Sequence, residues 1–160
     1  MNRWLRLVLV AGPWCLAAPA LAADGTDNKL PDNVRAALDR ADALEVYSLD
    51  PSERNAKDGF HGWKVLGKTT LKDQAKRKEV LEALEKGMAE STAGARCFIP
   101  RHGVRAAYGG RSVDLVICFE CGWVYVYDGD RDGPHLTTNG KPQPAFDKVL
   151  RDANVPLPKD

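Results

Sequence analysis

The feature that most constrains the fold is a long stretch in which every second residue is apolar. The odd positions from 113 to 127 are Val113, Leu115, Ile117, Phe119, Cys121, Trp123, Tyr125 and Tyr127. A period of two is typical of β-strands that bury one face. Strands usually have about 3–10 residues, so we expect a turn near residues 120–122 to divide this stretch.

Alternation elsewhere in the chain predicts further strands. Gly109 and Gly110 lie between two alternating segments, which is typical of a two-residue hairpin turn. The sequence predicts six strands, at residues 44–49, 60–68, 96–99, 104–108, 112–119 and 123–128. Because four of them follow one another directly, an antiparallel meander is expected.

Three segments show the spacing of amphipathic helices. The first begins at Pro31, the second follows a capping-box pattern at residues 70–73, and the third contains Phe146 and Leu150. Helices at both ends with hairpin-linked strands between them predict an α+β fold. We expect an antiparallel sheet of about five or six strands flanked by three helices.

The first 22 residues resemble a secretory signal peptide. Arg3 and Arg6 precede an apolar run that is interrupted by Pro13, and Ala20-Leu21-Ala22 is a small-x-small cleavage site. The run is shorter than the roughly 20 apolar residues of a membrane span. We therefore predict residues 1–22 as the leader, 23–30 as a flexible lead-in, 31–155 as a single domain and 156–160 as a tail. The mature protein is expected in the periplasm or the medium, with no stable membrane insertion.

Charge argues against one class of partner. The chain has 23 Lys and Arg against 22 Asp and Glu, a net charge of +1. Nucleic-acid-binding domains usually carry a clear excess of positive charge, so no nucleic acid is expected as a partner.

The remaining cysteines form the first candidate site. Removal of the leader takes Cys15 with it and leaves Cys97, Cys118 and Cys121, with His102 between the first two. In an exported protein cysteines that meet are expected to form a disulfide. The same residues also fit a Cys₃His zinc site, because Cys118-x-x-Cys121-Gly122 resembles a metal knuckle.

The pairing depends on the local backbone. In one unbroken strand Cys118 and Cys121 would lie on opposite faces, and Cys97–Cys118 would be the natural cross-strand disulfide. With a turn, the sulfurs of Cys118 and Cys121 can approach each other. If a disulfide forms, we expect Cys97 to be one partner, with His102 nearby.

Two further groups are candidate sites. Asp128, Asp130 and Asp132 alternate ahead of Gly133, which is how a calcium loop begins. The residue where such a loop places its glutamate is Asn139, however, so calcium is the weaker interpretation. The segment between Glu90 and Asp114 contains no acidic residue, and its arginines are candidates for binding an anionic partner: Arg96, Arg101, Arg105 and Arg111.

Together these features predict a small exported binding protein of the cell envelope without enzymatic activity. Size, leader and the lack of catalytic motifs are those of inhibitor-like or immunity-like proteins, and an envelope protein or an anionic ligand is the expected partner. The alternative is an enzyme, either a thiol–disulfide oxidoreductase or a metal-dependent enzyme that uses Cys118 and Cys121. The sequence does not indicate an oligomeric state.

Overall fold

A computed structural model describes residues 28–159. The predicted leader and residues 23–27 of the lead-in lie outside the described residues. The elements in chain order are α1 (Asp32–Arg40), β1 (Leu44–Arg54), β2 (Trp63–Leu71), α2 (Gln74–Ala89), β3 (His102–Tyr108), β4 (Arg111–Cys118), β5 (Trp123–Asp128), β6 (Arg131–Thr137) and α3 (Gln143–Asp152).

The strands form one antiparallel sheet in the order β2-β1-β3-β4-β5-β6. The predicted α+β class, with a sheet flanked by three helices, is confirmed. Strands β3 to β6 are a meander of consecutive hairpins, of which the alternating pattern predicts β3, β4 and β5. The turn at Gly109-Gly110 joins β3 to β4, and both glycines have positive φ.

All three helices pack on one side of the sheet. Side chains from them and from alternate strand positions form the main core, which includes Leu38, Leu84, Leu115, Phe146 and Leu150. The other side of the sheet, which we call the open face, is covered by no helix from residues 28–159. A smaller apolar cluster lies there, formed by Tyr47, Leu49, Phe60, Trp63 and Val116.

One predicted strand is wrong, and one strand of the sheet was not predicted. Residues 96–99 are not a strand; they belong to an extended segment, residues 91–101, that crosses the open face. The sixth strand is instead β6, which begins within the candidate calcium loop. Pro134 obscures its pattern, but proline is tolerated in β6 because this strand is at the edge of the sheet.

Contacts with the rest of the fold are made near both ends of the described residues, and α2 begins later than its capping-box pattern predicts. Asn28, in the predicted lead-in, exchanges hydrogen bonds with the backbone of Thr137 and donates to the carbonyl of Met88. Leu157, in the predicted tail, packs against the main core. Strand β2 continues to Leu71, so α2 is capped by Asp73, whose carboxylate accepts from the Lys76 N–H at 2.9 Å.

Candidate binding face

The open face is built from the strand residues that point away from the helices. Strand alternation places Glu45, Arg105, Asp114 and Tyr127 on this side. Two segments without regular structure cross it: the loop from β1 to β2, which carries Phe60 and His61, and residues 91–101, which carry Phe98.

A buried carboxylate lies at the centre of the open face. The side chain of Asp114 is 3% exposed. Arg105, its neighbour on β3, donates two hydrogen bonds to it, from Nε to Oδ1 at 2.8 Å and from a terminal nitrogen to Oδ2 at 2.6 Å. His61 Nε2 lies 2.8 Å from Oδ2. Because an ionised carboxylate only accepts, His61 is the donor in this bond.

These hydrogen bonds stabilise the charged forms of Asp114 and Arg105. Burial alone would raise the pKa of Asp114, but the hydrogen bonds from Arg105 and His61 outweigh it and hold that pKa below its usual value. The hydrogen bond to Asp114 in turn raises the pKa of Arg105. Asp114 is therefore an anion held between two donors at neutral pH.

His61 reaches Asp114 from an unusual backbone conformation. Its φ is 49° and that of Gly62 is 80°, both in the left-handed region. A non-glycine residue in this region is uncommon and costs energy that its surroundings must supply. The bond to Asp114 and the Tyr127 ring, whose centroid lies 3.7 Å away in a stacked arrangement, hold His61 in place.

Two aromatic rows lie on the open face: the stacked pair His61–Tyr127, and a second row formed by Phe98, Tyr125 and His135. The ring of Tyr125 stacks between Phe98 and His135, with centroid distances of 3.8 and 3.7 Å and planes within 5° of parallel. Tyr125 and Tyr127 are half-buried and His135 is exposed. The open face therefore presents part of the Tyr125 and Tyr127 side chains, together with the exposed His135, to solvent.

On the open face at strands β1 and β2, charged and polar side chains pair with one another. Glu45 accepts hydrogen bonds of 2.5 Å from both Lys68 and the Tyr47 hydroxyl. Burial alone would raise the pKa of Glu45, yet these two bonds lower it below its usual value. Burial, and then the bond to Glu45, raises the pKa of Tyr47.

The structure brings the three predicted cysteines together. Cys97 and Cys121 form a disulfide with a Cα–Cα distance of 5.7 Å, and Cys118 is a buried free thiol. The predicted turn is present at residues 119–122, and Cys97 is one disulfide partner as expected. The partner is Cys121 and not Cys118, the pairing expected for an unbroken strand, because the turn redirects Cys121 towards segment 91–101.

His102 is not part of the cysteine cluster. Its side chain is on the helix side of the sheet, 2% exposed, with Nε2 2.8 Å from Oδ1 of Asp147 on α3. Its ring contacts Phe119 and Phe146. Nothing in residues 28–159 brings three or more His, Cys, Asp or Glu side chains into an arrangement that could hold a metal ion.

The three aspartates of the candidate calcium loop belong to a hairpin. Asp128 ends β5, Asp130 is in the turn and Asp132 is in β6. The carboxylate of Asp128 is occupied by Arg111, Arg131 and the amide of Asn33. Asp130 and Asp132 are exposed to solvent.

The four candidate arginines do not share one surface. Arg105 is on the open face, whereas Arg111 bonds Asp128 near α1, and Arg96 is exposed in segment 91–101. Arg101 lies 3.7 Å from Glu120. Three of the four candidate arginines, Arg101, Arg105 and Arg111, are thus paired with carboxylates of this chain.

Sequence reasoning missed the centre of this site. Asp114 is the one acidic residue in the alternating stretch 112–119, and a carboxylate in a buried strand is expected to have a partner. That signal was available. The identity of the second partner, His61, depends on how a distant loop closes and leaves no pattern in the sequence.

Comparisons with known proteins add no relative, since no family model, no curated protein and no solved structure matches this chain. None of the helices within residues 28–159 combines the length and the apolar character needed to cross a membrane. Function is therefore inferred from the site itself.

Proposed function

We propose that this chain is a small exported binding protein of the cell envelope, without enzymatic activity, and that the open face binds another envelope protein. The observation that carries the proposal is the pair of aromatic rows, His61–Tyr127 and Phe98–Tyr125–His135. The predicted leader supports export, and the lack of known catalytic motifs in the sequence supports binding over catalysis.

Composition favours a protein as the partner. Aromatic residues and arginine are enriched at protein interfaces and supply most of the residues whose truncation abolishes binding. The rings of Tyr125 and Tyr127 are already ordered by their stacking, so they lose little conformational entropy when a partner covers them. Arg105, Glu45 and Lys68 would form the polar rim, since each is already paired within the chain.

The pairing of the arginines argues against a small anion as the main ligand. A site for a free phosphate or carboxylate needs donors that are not already satisfied. Arg105 makes a bidentate pair with Asp114, and Arg111 makes one hydrogen bond to Asp128. A partner protein that covers the aromatic rows does not need to break these pairs.

The test is a capture experiment from envelope extract with matched variants. The double variant Tyr125→Ala/His135→Ala removes one aromatic row, and Tyr108→Ala serves as control because Tyr108 is an aromatic residue, 44% exposed, near α1 on the helix side. We expect wild type and the control to capture the same protein and the double variant to lose it. Loss of about 2 kcal/mol of binding energy corresponds to about a 30-fold weaker Kd.

The outcome that contradicts the proposal is equally clear. If the double variant folds, as judged by its melting temperature, and still captures the partner with the affinity of wild type, the open face is not the binding surface. Loss of capture with Tyr108→Ala alone would place the interface on the helix side instead.

A further inference from the structure

The three cysteines have a geometry that the binding function does not use. Cys118 and Cys121 lie in a single α-turn, closed by a hydrogen bond of 2.8 Å from the Gly122 N–H to the Cys118 carbonyl. In such a turn the side chains at positions i and i+3 lie on the same side. The free thiol is therefore next to one half of the Cys97–Cys121 disulfide, and the Cys121 N–H donates to Cys118 Sγ at 3.1 Å.

The two halves of the disulfide differ in exposure. Cys121 is buried, with 1% of its surface exposed, whereas Cys97 lies in segment 91–101 and is exposed to solvent. Segment 91–101 is held beside the turn by a bond of 2.7 Å from the Ala95 N–H to the Cys121 carbonyl. A thiolate released at Cys97 would thus be in water, while one released at Cys121 would be in the protein interior.

We propose that these cysteines form a thiol–disulfide exchange site, in which Cys118 displaces Cys97 from Cys121 and presents Cys97 to disulfides in solution. This inference does not rest on the proposed binding function. The reaction partner is a disulfide of a small molecule or of another exported protein, which the chain takes up stoichiometrically as a mixed disulfide on Cys97.

The exchange balances without an external oxidant. Cys118 loses its proton to water, and its thiolate attacks Sγ of Cys121 in the usual displacement reaction. The Cys118–Cys121 bond forms, the Cys97–Cys121 bond breaks, and its electron pair leaves with Sγ of Cys97, which takes a proton from water. In a second step Cys97 loses a proton to water, and its thiolate attacks one sulfur of an external disulfide to form a mixed disulfide. The external S–S bond breaks, and its electron pair leaves with the other sulfur, which takes a proton from water and is released as a thiol.

Physical chemistry selects this direction of attack. If Cys118 attacked Cys97 instead, the leaving thiolate would be the buried Cys121, and an unpaired charge in the interior is costly. Burial also raises the pKa of Cys118, although backbone N–H groups of Ile99 and Cys121 act in the opposite direction. Exchange is therefore expected to be slow at neutral pH and to accelerate with the thiolate fraction as pH rises.

The test maps which cysteine reacts in the folded protein. The oxidised protein is treated with iodoacetamide without denaturant, and the alkylated residue and the remaining disulfide are identified by peptide mapping. We expect alkylated Cys97 together with a Cys118–Cys121 disulfide, at a rate that increases by about 100-fold between pH 6.5 and pH 8.5. With oxidised glutathione as the probe, we expect one glutathione on Cys97.

Variants at Cys118 provide the control. Serine at this position keeps an acceptor for the N–H donors but cannot attack the disulfide. Cys118→Ser should therefore keep the Cys97–Cys121 disulfide and take up neither iodoacetamide nor glutathione. Cys118→Ala checks this result if the serine variant does not fold. In wild type, the proposal would be overturned by alkylation of Cys118 with the Cys97–Cys121 bond intact, by alkylation of Cys121, or by the absence of any reaction in the folded protein. It would also be overturned by reaction of Cys97 in either variant.

Discussion

Removal of the Asp114 carboxylate should destabilise the protein by an amount that can be worked out from its contacts. In Asp114→Ala three hydrogen bonds are lost, two to Arg105 and one to His61. Breaking a buried ion pair from one side typically costs about 3–5 kcal/mol. Because the Arg105 side chain is 41% exposed and regains water, we expect a smaller loss, about 2–3 kcal/mol in the free energy of unfolding at pH 7.

The pH dependence separates this electrostatic effect from a packing effect. The folded-state pKa of Asp114 is depressed, so its contribution is fully present above the unfolded pKa of about 3.9 and is lost as pH falls through the folded value. The difference between wild type and Asp114→Ala should therefore be constant from pH 7 to about pH 5 and shrink below pH 4.

Urea unfolding monitored by tryptophan fluorescence measures both quantities. Asp132→Ala is the matched control, since Asp132 is exposed on β6, and should change stability by less than about 0.5 kcal/mol. A loss below about 0.5 kcal/mol in Asp114→Ala, or a difference that stays constant down to pH 2, would refute the assignment of Asp114 as an anion held by Arg105 and His61.

Two further substitutions test the packing on either side of the sheet. In Gly103→Ala the new Cβ would lie 2.6 Å from the Phe60 ring, so we expect the free energy of unfolding in urea to fall by about 1–3 kcal/mol. Adding Phe60→Leu should restore part of this loss, and equal losses in the single and double variants would contradict the contact. In Asp147→Ala the buried His102 loses its acceptor, so we expect a lower melting temperature and a loss of about 1–3 kcal/mol. The His102 hydrogen bond lowers the Asp147 pKa, so this difference should also shrink below pH 4, and a constant difference would argue for a packing effect alone.

The fold was largely predictable because its strongest signals are local. The alternation in β4 and β5 and the glycine pair between β3 and β4 depend only on neighbouring residues. Segment 91–101 was not predictable in the same way, since it is extended without being paired into the sheet. Its position depends on the Cys97–Cys121 bond and on the Trp123 indole, which donates to the Ala95 carbonyl at 2.7 Å.

Of the candidate sites, only the one formed by residues close in sequence could be predicted. The cysteines are close in sequence, so their meeting could be anticipated. The arginines form one cluster in the sequence because the segment between Glu90 and Asp114 contains no acidic residue. The strand register then places Asp114, at the end of this segment, opposite Arg105. The aromatic rows combine β5 with β6 and with two irregular segments, so no single stretch of sequence contains them.

The central claim is that the open face binds an envelope protein, and site-specific photo-crosslinking in cells tests it most directly. A photoreactive benzoylphenylalanine is placed at His135, which is exposed beside Tyr125, or at Tyr108 on the helix side. We predict a discrete crosslinked product from position 135 and none from position 108. The absence of a product at position 135, or the same product from both positions, would contradict the claim.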